Sequence, residues 1–186
     1  MARPGSTNFS FLAEYDARLV MMASRAERAL SFGDPVGALV HLRAFAEHLA
    51  KSALLELGSS RDAGPNQVDR LRALRSRGVH EQVLALFHGI RVTGNEAAHD
   101  GQGTMGHALQ HLKIARELGV WFYRTVRRVP GFKPGPFVPP PDITTENEEL
   151  RRQLQDLEAE AEAREERGHR GRAQRPAAAV AAPEVA

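Results

Sequence analysis

The sequence predicts an all-α fold, a bundle of about five helices followed by a proline-rich linker and one further helix. Apolar residues recur at three- and four-residue spacings through most of residues 8–128, as they do on one face of a helix. Residues that favour helix starts stand immediately before several of these runs. No segment alternates apolar and polar residues over the length of a strand.

The first two helices are predicted from an apolar stripe and from end signals. Residues 9–32 form a helical region whose stripe comprises Leu12, Tyr15, Leu19, Met22, Ala26 and Leu30. The second helix follows Asp34, a natural N-cap, has Pro35 in its first turn and ends before Gly58. Its broad apolar face indicates that it is the central helix of the bundle.

Three more helices complete the predicted bundle. A loop at 59–66, rich in Ser, Gly, Pro and Asn, leads into a short basic helix that ends before Gly78. Another helix covers 80–98, and Thr104 can cap the last one, which covers 105–126. The domain predicted from these helices spans 8–128.

The composition changes sharply at Pro130. Residues 129–142 are rich in proline and are predicted to be an extended linker. Residues 143–168 are predicted to be a short coiled-coil helix, whose apolar seam comprises Leu150, Leu154, Leu157 and Ala161. The remainder, 169–186, is basic and then rich in Ala and Pro, which predicts a disordered tail.

Composition limits the classes of protein to which the chain can belong. Its net charge is +2, from 25 basic and 23 acidic residues, so nucleic acid is an open partner but not a required one. The absence of cysteine removes disulfides, thiolate nucleophiles and cysteine-bound zinc. No apolar run approaches the roughly 18 residues of a membrane span. We therefore expect a cytoplasmic protein that does not associate with a membrane.

The segment 89–101, GIRVTGNEAAHDG, holds the polar residues that most need an explanation. Arg91, Asn95 and His99 recur every four residues, which places them on one stripe of a helix. Such a group can bind a phosphate, with His99 as a general acid or base. Gly94, unfavourable inside a helix, predicts the close approach of another helix or a ligand.

A structural role for the same residues is the alternative. Arg43 and Glu47 lie four residues apart in the central helix, beside apolar residues. A carboxylate near a buried face needs a cation, and either Arg43 or Arg91 can supply it. This interpretation predicts a polar network that joins two helices and comprises Arg43, Glu47, Arg91, Asn95 and His99.

Weaker signals lie elsewhere in the chain. One is an arginine-rich helix face made by Arg70, Arg72, Arg75 and Arg77, which is the predicted phosphate-contacting surface. A face of this kind is usually only exposed to solvent.

His107 and His111 have the spacing of a helical zinc pair, but no third ligand is marked. The glycines of 101–106 lack the strand and helix of a dinucleotide site. We therefore expect neither a metal nor a cofactor.

The aromatic residues Trp121, Phe122 and Tyr123 lie together near the end of the last predicted helix of the bundle. Their main interpretation is that they close the core, and stacking on a nucleobase is the minor one.

Three stretches together resemble a known family. They cover 8–51, 86–101 (LFHGIRVTGNEAAHDG) and 108–125 (ALQHLKIARELGVWFYRT). In order and spacing they resemble the N-terminal domain of unknown function found in many type I restriction endonuclease R subunits, a domain related to the HEPN superfamily. The resemblance implies a HEPN-like helical bundle with a polar centre at Arg43, Glu47, Arg91, Asn95 and His99.

The resemblance also frames the functional alternatives. In HEPN ribonucleases an arginine and a histidine act on RNA across a dimer, but they stand closer together than Arg91 and His99. The nuclease and helicase motifs of an R subunit are missing from this sequence. The first hypothesis is therefore a non-catalytic module for assembly or nucleic-acid engagement in a defence system. Its implied partners are restriction-modification subunits or a helicase–nuclease polypeptide.

Two further hypotheses stay open at this stage. One is a metal-independent HEPN ribonuclease, acting as a homodimer, with His99, Arg91 and Asn95 as its catalytic residues. The other is an oligomerisation adaptor that acts through the coiled-coil segment at 145–167.

Overall fold

The computed structural model of the chain describes residues 5–58, 64 and 66–173, with side chains up to 160 except those of 146 and 147. All regular secondary structure in these residues is helical, which confirms the predicted all-α class. The α-helices are α1 (Ala17–Ser31), α2 (Pro35–Glu56), α3 (Gln67–Ser76), α4 (Glu81–Asp100), α5 (Met105–Trp121) and α6 (Thr144–Ala173). A 3₁₀ turn, Ser10–Leu12, precedes α1, and a π-helical segment, Phe122–Val126, follows α5.

Side-chain caps set most of the helix starts. Asp34 accepts from the Gly37 N–H at 2.7 Å and Thr104 accepts from the His107 N–H at 3.2 Å, so both predicted caps are confirmed. The predicted helical region from residue 9 is wrong in one respect. Helix α1 begins only at Ala17, because Asp16 in an extended conformation caps it.

The end of α5 also differs from the sequence-based expectation of one helix over 105–126. Regular α-helix stops at Trp121, and a wider π-helical turn continues to Val126. The Arg127 N–H donates to the carbonyl oxygen of Phe122 at 2.9 Å, which closes this wider turn. Phe122, the first residue of this turn, lies fully in the core.

The chain divides into two units, and unit 1 spans Met1–Ile143. Within it, α2 contacts α1, α3, α4 and α5, so the prediction of a central helix is confirmed. The core lies around α2 and is built from the fully buried large side chains Phe9, Leu12, Leu19, Leu39, Leu42, Phe45, Leu49, Leu74, Phe87, Ile90, Leu112 and Phe122. The predicted loop at 59–66 lies largely outside the described residues.

Unit 1 also includes the proline-rich segment predicted to be a linker, 129–142. The segment has neither helix nor strand, and it lies against the helices. Asn8 exchanges two hydrogen bonds with the Val138 backbone, at 2.8 and 2.9 Å. The Arg116 side chain donates to carbonyl oxygens of the segment, and Phe132 packs against two aromatic rings of the bundle. Side chains of the bundle thus bind the backbone of this segment directly.

Unit 2 begins at Thr144, and its described part is α6. The helix predicted over 143–168 continues to Ala173, since extending a formed helix requires no new nucleus. The rest of the predicted disordered tail, 174–186, lies outside the described residues. Of the helices that the structure describes, none is long and apolar enough to cross a membrane.

Candidate functional site

Helices α2 and α4 pack closely against each other at Gly94. A Cβ atom built on Gly94 would lie 2.5 Å from the Cβ of Arg43 and 3.2 Å from the carbonyl oxygen of Leu39. No side chain other than hydrogen fits in this space. The predicted close approach is confirmed, and the approaching group is α2.

The Arg43 side chain leads from this crossing to Glu47. Its Nε lies 2.9 Å from Oε1 of Glu47, one helical turn further along α2. Both side chains are about one-third exposed. An ion pair of this spacing stabilises a helix by about 0.3–0.5 kcal/mol, so packing at Gly94 matters more here than the charge.

The other proposed network members, all on α4, are not linked to this pair by hydrogen bonds. Arg91 is half-buried, and its Nη2 donates to Nδ1 of His88 at 3.4 Å. Its Nε is buried and has no hydrogen-bond partner among the described residues. Asn95 is half-buried and His99 is exposed in the last turn of α4. Within the described part of the chain, therefore, side-chain hydrogen bonds do not join Arg91, Asn95 and His99.

The arginines of α3 and its C-cap residue, Arg77, mostly bind groups of the chain itself. Arg75 forms two hydrogen bonds with the Glu81 carboxylate, at 2.5 and 2.8 Å. These bonds raise the pKa of Arg75 and lower that of Glu81. Arg72 lies 3.2 Å from Asp69, and Arg77 donates to two carbonyl oxygens at the end of α2. An external anion would compete with these contacts.

A groove between α3 and α4 brings arginines of α3 close to a histidine of α4. Its volume is about 380 Å³, and its lining includes Leu71, Leu84, Arg72, Arg75, Glu81 and His88. His88 also contacts Arg91, so α4 adds an imidazole and a guanidinium to the arginines of α3. Sequence reasoning grouped the α3 arginines alone, because no periodicity relates them to His88.

A second polar cluster, which sequence reasoning missed, joins the start of α1 to α2. Nε2 of His48 donates to Asp16 at 2.6 Å. Burial raises the pKa of the Asp16 carboxyl, but hydrogen bonds from His48 and from the Arg18 N–H lower it by more, so the pKa lies below its ordinary value. The carboxylate thereby caps α1 and anchors it to α2.

The same cluster continues one turn along α2. Tyr15 lies beside Ser52 and Glu56, and burial, followed by the Glu56 charge, raises the pKa of its hydroxyl. The Arg127 guanidinium lies 4.9 Å from the centre of the Tyr15 ring and 3.1 Å from Glu56. The four-residue spacing of His48, Ser52 and Glu56 was the available signal, but their partners lie far away in the sequence.

The remaining candidate groups serve packing or stand alone. The ring of Phe122 is fully buried against Tyr15, so core closure is confirmed for this residue. The rings of His107 and His111 are 6.4 Å apart, and Nδ1 of His111 donates to the carbonyl oxygen of His107. In the part of the chain that the structure describes, no three His, Asp or Glu side chains come close enough to hold a metal ion.

Comparison with known proteins gives this geometry a context. The chain is 30% identical, over 175 residues, to the type I restriction enzyme EcoKI endonuclease subunit of Escherichia coli (strain K12). The match covers 87% of this chain but only 14% of that subunit. The chain is related to part of a restriction endonuclease subunit. No protein-family model matches it, and no solved structure matches it.

The match to the restriction subunit extends beyond unit 1. A match over 87% of the chain is longer than unit 1, which ends at Ile143. The similarity to the restriction subunit therefore includes part of α6 as well as the bundle.

Proposed function

We propose that the chain is a non-catalytic helical module that serves assembly in a type I restriction system. The observation that carries this proposal is the similarity to an endonuclease subunit over most of this chain but a small part of that subunit. Such a ratio is expected of one domain within a larger enzyme.

The contacts around Gly94 support a packing role for this part of α2 and α4. Gly94 is used for helix packing, and Glu47 binds Arg43 of its own helix. In a catalytic pair of nucleophile and base, the base is in turn oriented by a third group. His99 is exposed at the end of α4, and no hydrogen bond to another described residue orients its ring.

The test is an incubation of the purified chain with labelled RNA and labelled DNA. We expect no cleavage of either, from the wild type or from His99→Ala. The matched control is His107→Ala, which removes an exposed histidine from α5. Cleavage that His99→Ala abolishes and His107→Ala preserves would contradict the proposal and support a HEPN ribonuclease.

A second candidate function, nucleic-acid engagement, is favoured by the groove between α3 and α4. Arg72, Arg75 and His88 line it, and Arg91 contacts His88. Phosphate contacts make binding strongly dependent on salt. We expect labelled DNA to bind weakly at low salt, with Arg72→Ala reducing the affinity and Arg151→Ala, in unit 2, leaving it unchanged. Equal binding by both variants would exclude the groove.

A further inference from the structure

Helix α6 carries a stripe of exposed leucines that no described residue covers. Leu150, Leu154 and Leu157 are 55%, 53% and 62% exposed. Their four- and three-residue spacings place them on one face of α6, in the alternation of a coiled-coil seam. Isolated exposed leucines are ordinary, but three on one helical face are typical of an interaction surface.

The charged residues beside the stripe determine which orientation of a second helix is favoured on it. In the heptad that this spacing defines, the positions bordering the seam are occupied by Arg151, Gln153, Glu158 and Glu160. The cation lies at one end of the stripe and the two carboxylates lie at the other. A surface with this polarity is complementary to a second copy of itself in the opposite direction.

We propose that α6 pairs with α6 of a second copy of this chain in an antiparallel arrangement. In the register that places Leu154 opposite Leu157 of the second copy, Arg151 lies beside the second copy's Glu158. The two-fold symmetry repeats this ion pair, so one contact type occurs twice. Opposite charges at such flanking positions select partner and orientation in coiled coils.

A parallel pair lacks this complementarity. In that arrangement Glu158 faces Gln153, and Arg151 is too far along the helix to reach Glu158 of the second copy. Only the antiparallel arrangement brings the cation of each copy to a carboxylate of the other at both ends of the leucine stripe.

The size of the stripe sets the strength of the pairing. The described seam, from Leu150 to Leu157, is little more than one heptad long. This is short for a coiled coil, and association must overcome the loss of translational freedom. The dimer is therefore weak and depends on concentration. This inference concerns α6 alone and does not depend on the assembly role proposed for the whole chain.

The test is sedimentation equilibrium of the full chain over a range of concentrations, with helix content of each variant checked by circular dichroism. We expect the mass to rise from the 20.4 kDa of one chain toward twice that value. Leu154→Glu should abolish the rise. Arg151→Glu and Glu158→Arg should each weaken dimerisation about tenfold, because each replaces two attractions with two repulsions.

The double variant R151E/E158R restores both ion pairs, so its dissociation constant should return to within about twofold of the wild type. The matched control is Arg152→Glu, an equal change of charge at an outward position, and it should leave dimerisation unchanged. A mass of one chain at every concentration would overturn the proposal and leave the stripe to another partner. Dimerisation that the double variant fails to restore would overturn the antiparallel arrangement.

Discussion

Among single residues, Gly94 and Asp16 each determine one contact between helices, Gly94 between α2 and α4 and Asp16 between α1 and α2. The sequence predicted the close approach at Gly94, because glycine destabilises the interior of a helix and is expected there where a neighbouring group leaves no space for a side chain. It did not predict the contact at Asp16, because Asp16 lies within a continuous apolar periodicity and its partner His48 is 32 residues away. Residue type and local spacing can show that a residue is unexpected in its helix. They cannot identify a contact partner that lies far away in the sequence.

A methyl group at Gly94 tests the packing of α2 against α4. Alanine favours a helix, but at this position its Cβ would meet Arg43 at 2.5 Å. We expect Gly94→Ala to lower the free energy of unfolding by about 1–3 kcal/mol, measured by urea denaturation.

The matched control is Gly89→Ala in the same helix, where an added Cβ meets nothing within 4 Å. This variant should gain up to about 1 kcal/mol from helix propensity. Equal stability of the two variants would show that α2 and α4 do not touch at Gly94.

Asp16 gives the stability a dependence on pH. Its pKa is lowered in the folded state from an ordinary value of 3.8. The unfolded chain therefore binds the proton more tightly, and stability falls as the pH drops from about this value through the lower folded pKa. We expect Asp16→Asn to flatten the acid side of the stability profile, measured by urea denaturation at a series of pH values. The exposed Glu14→Gln should keep the wild-type slope, and an unchanged slope in Asp16→Asn would contradict the role of this carboxylate.

At the scale of elements, helix boundaries were predictable where a cap lies next to its helix. Asp34 and Thr104 act within three residues of themselves, so the starts of α2 and α5 could be predicted. The path of 129–142 could not be predicted. Proline content indicates only that the segment is not helical, whereas its position depends on Asn8, which lies 130 residues from Val138.

Removing the Asn8 side chain tests whether the bundle holds this segment. Asn8 is 3% exposed and bonds both Glu27 and the Val138 backbone. We expect Asn8→Ala to cost about 1–3 kcal/mol, because buried polar groups lose their partners. The Val138 amide, which donates to Asn8, should exchange its hydrogen faster with deuterium. The exposed Thr7→Ala is the control, and unchanged exchange in Asn8→Ala would contradict the contact.

At the scale of the whole molecule, the sequence predicted the fold class and the relation to restriction endonucleases. The HEPN-like fold and a role for Arg91, Asn95 and His99 stay predictions. Helical periodicity determines fold class because it repeats over many residues. A site instead depends on a few side chains converging from different helices, as the α4 histidine and the α3 arginines do at their groove.

A graft into the EcoKI endonuclease subunit tests the proposed non-catalytic role in assembly. The stretch that matches this chain would be deleted, or replaced by this chain as wild type or as His99→Ala, and restriction by the assembled enzyme would be measured. We expect deletion to abolish restriction and both grafts to restore it equally, because the proposed role is in assembly and not in chemistry. Restriction restored by the wild-type graft but not by His99→Ala would contradict a non-catalytic role, and full restriction after deletion would contradict a role in assembly.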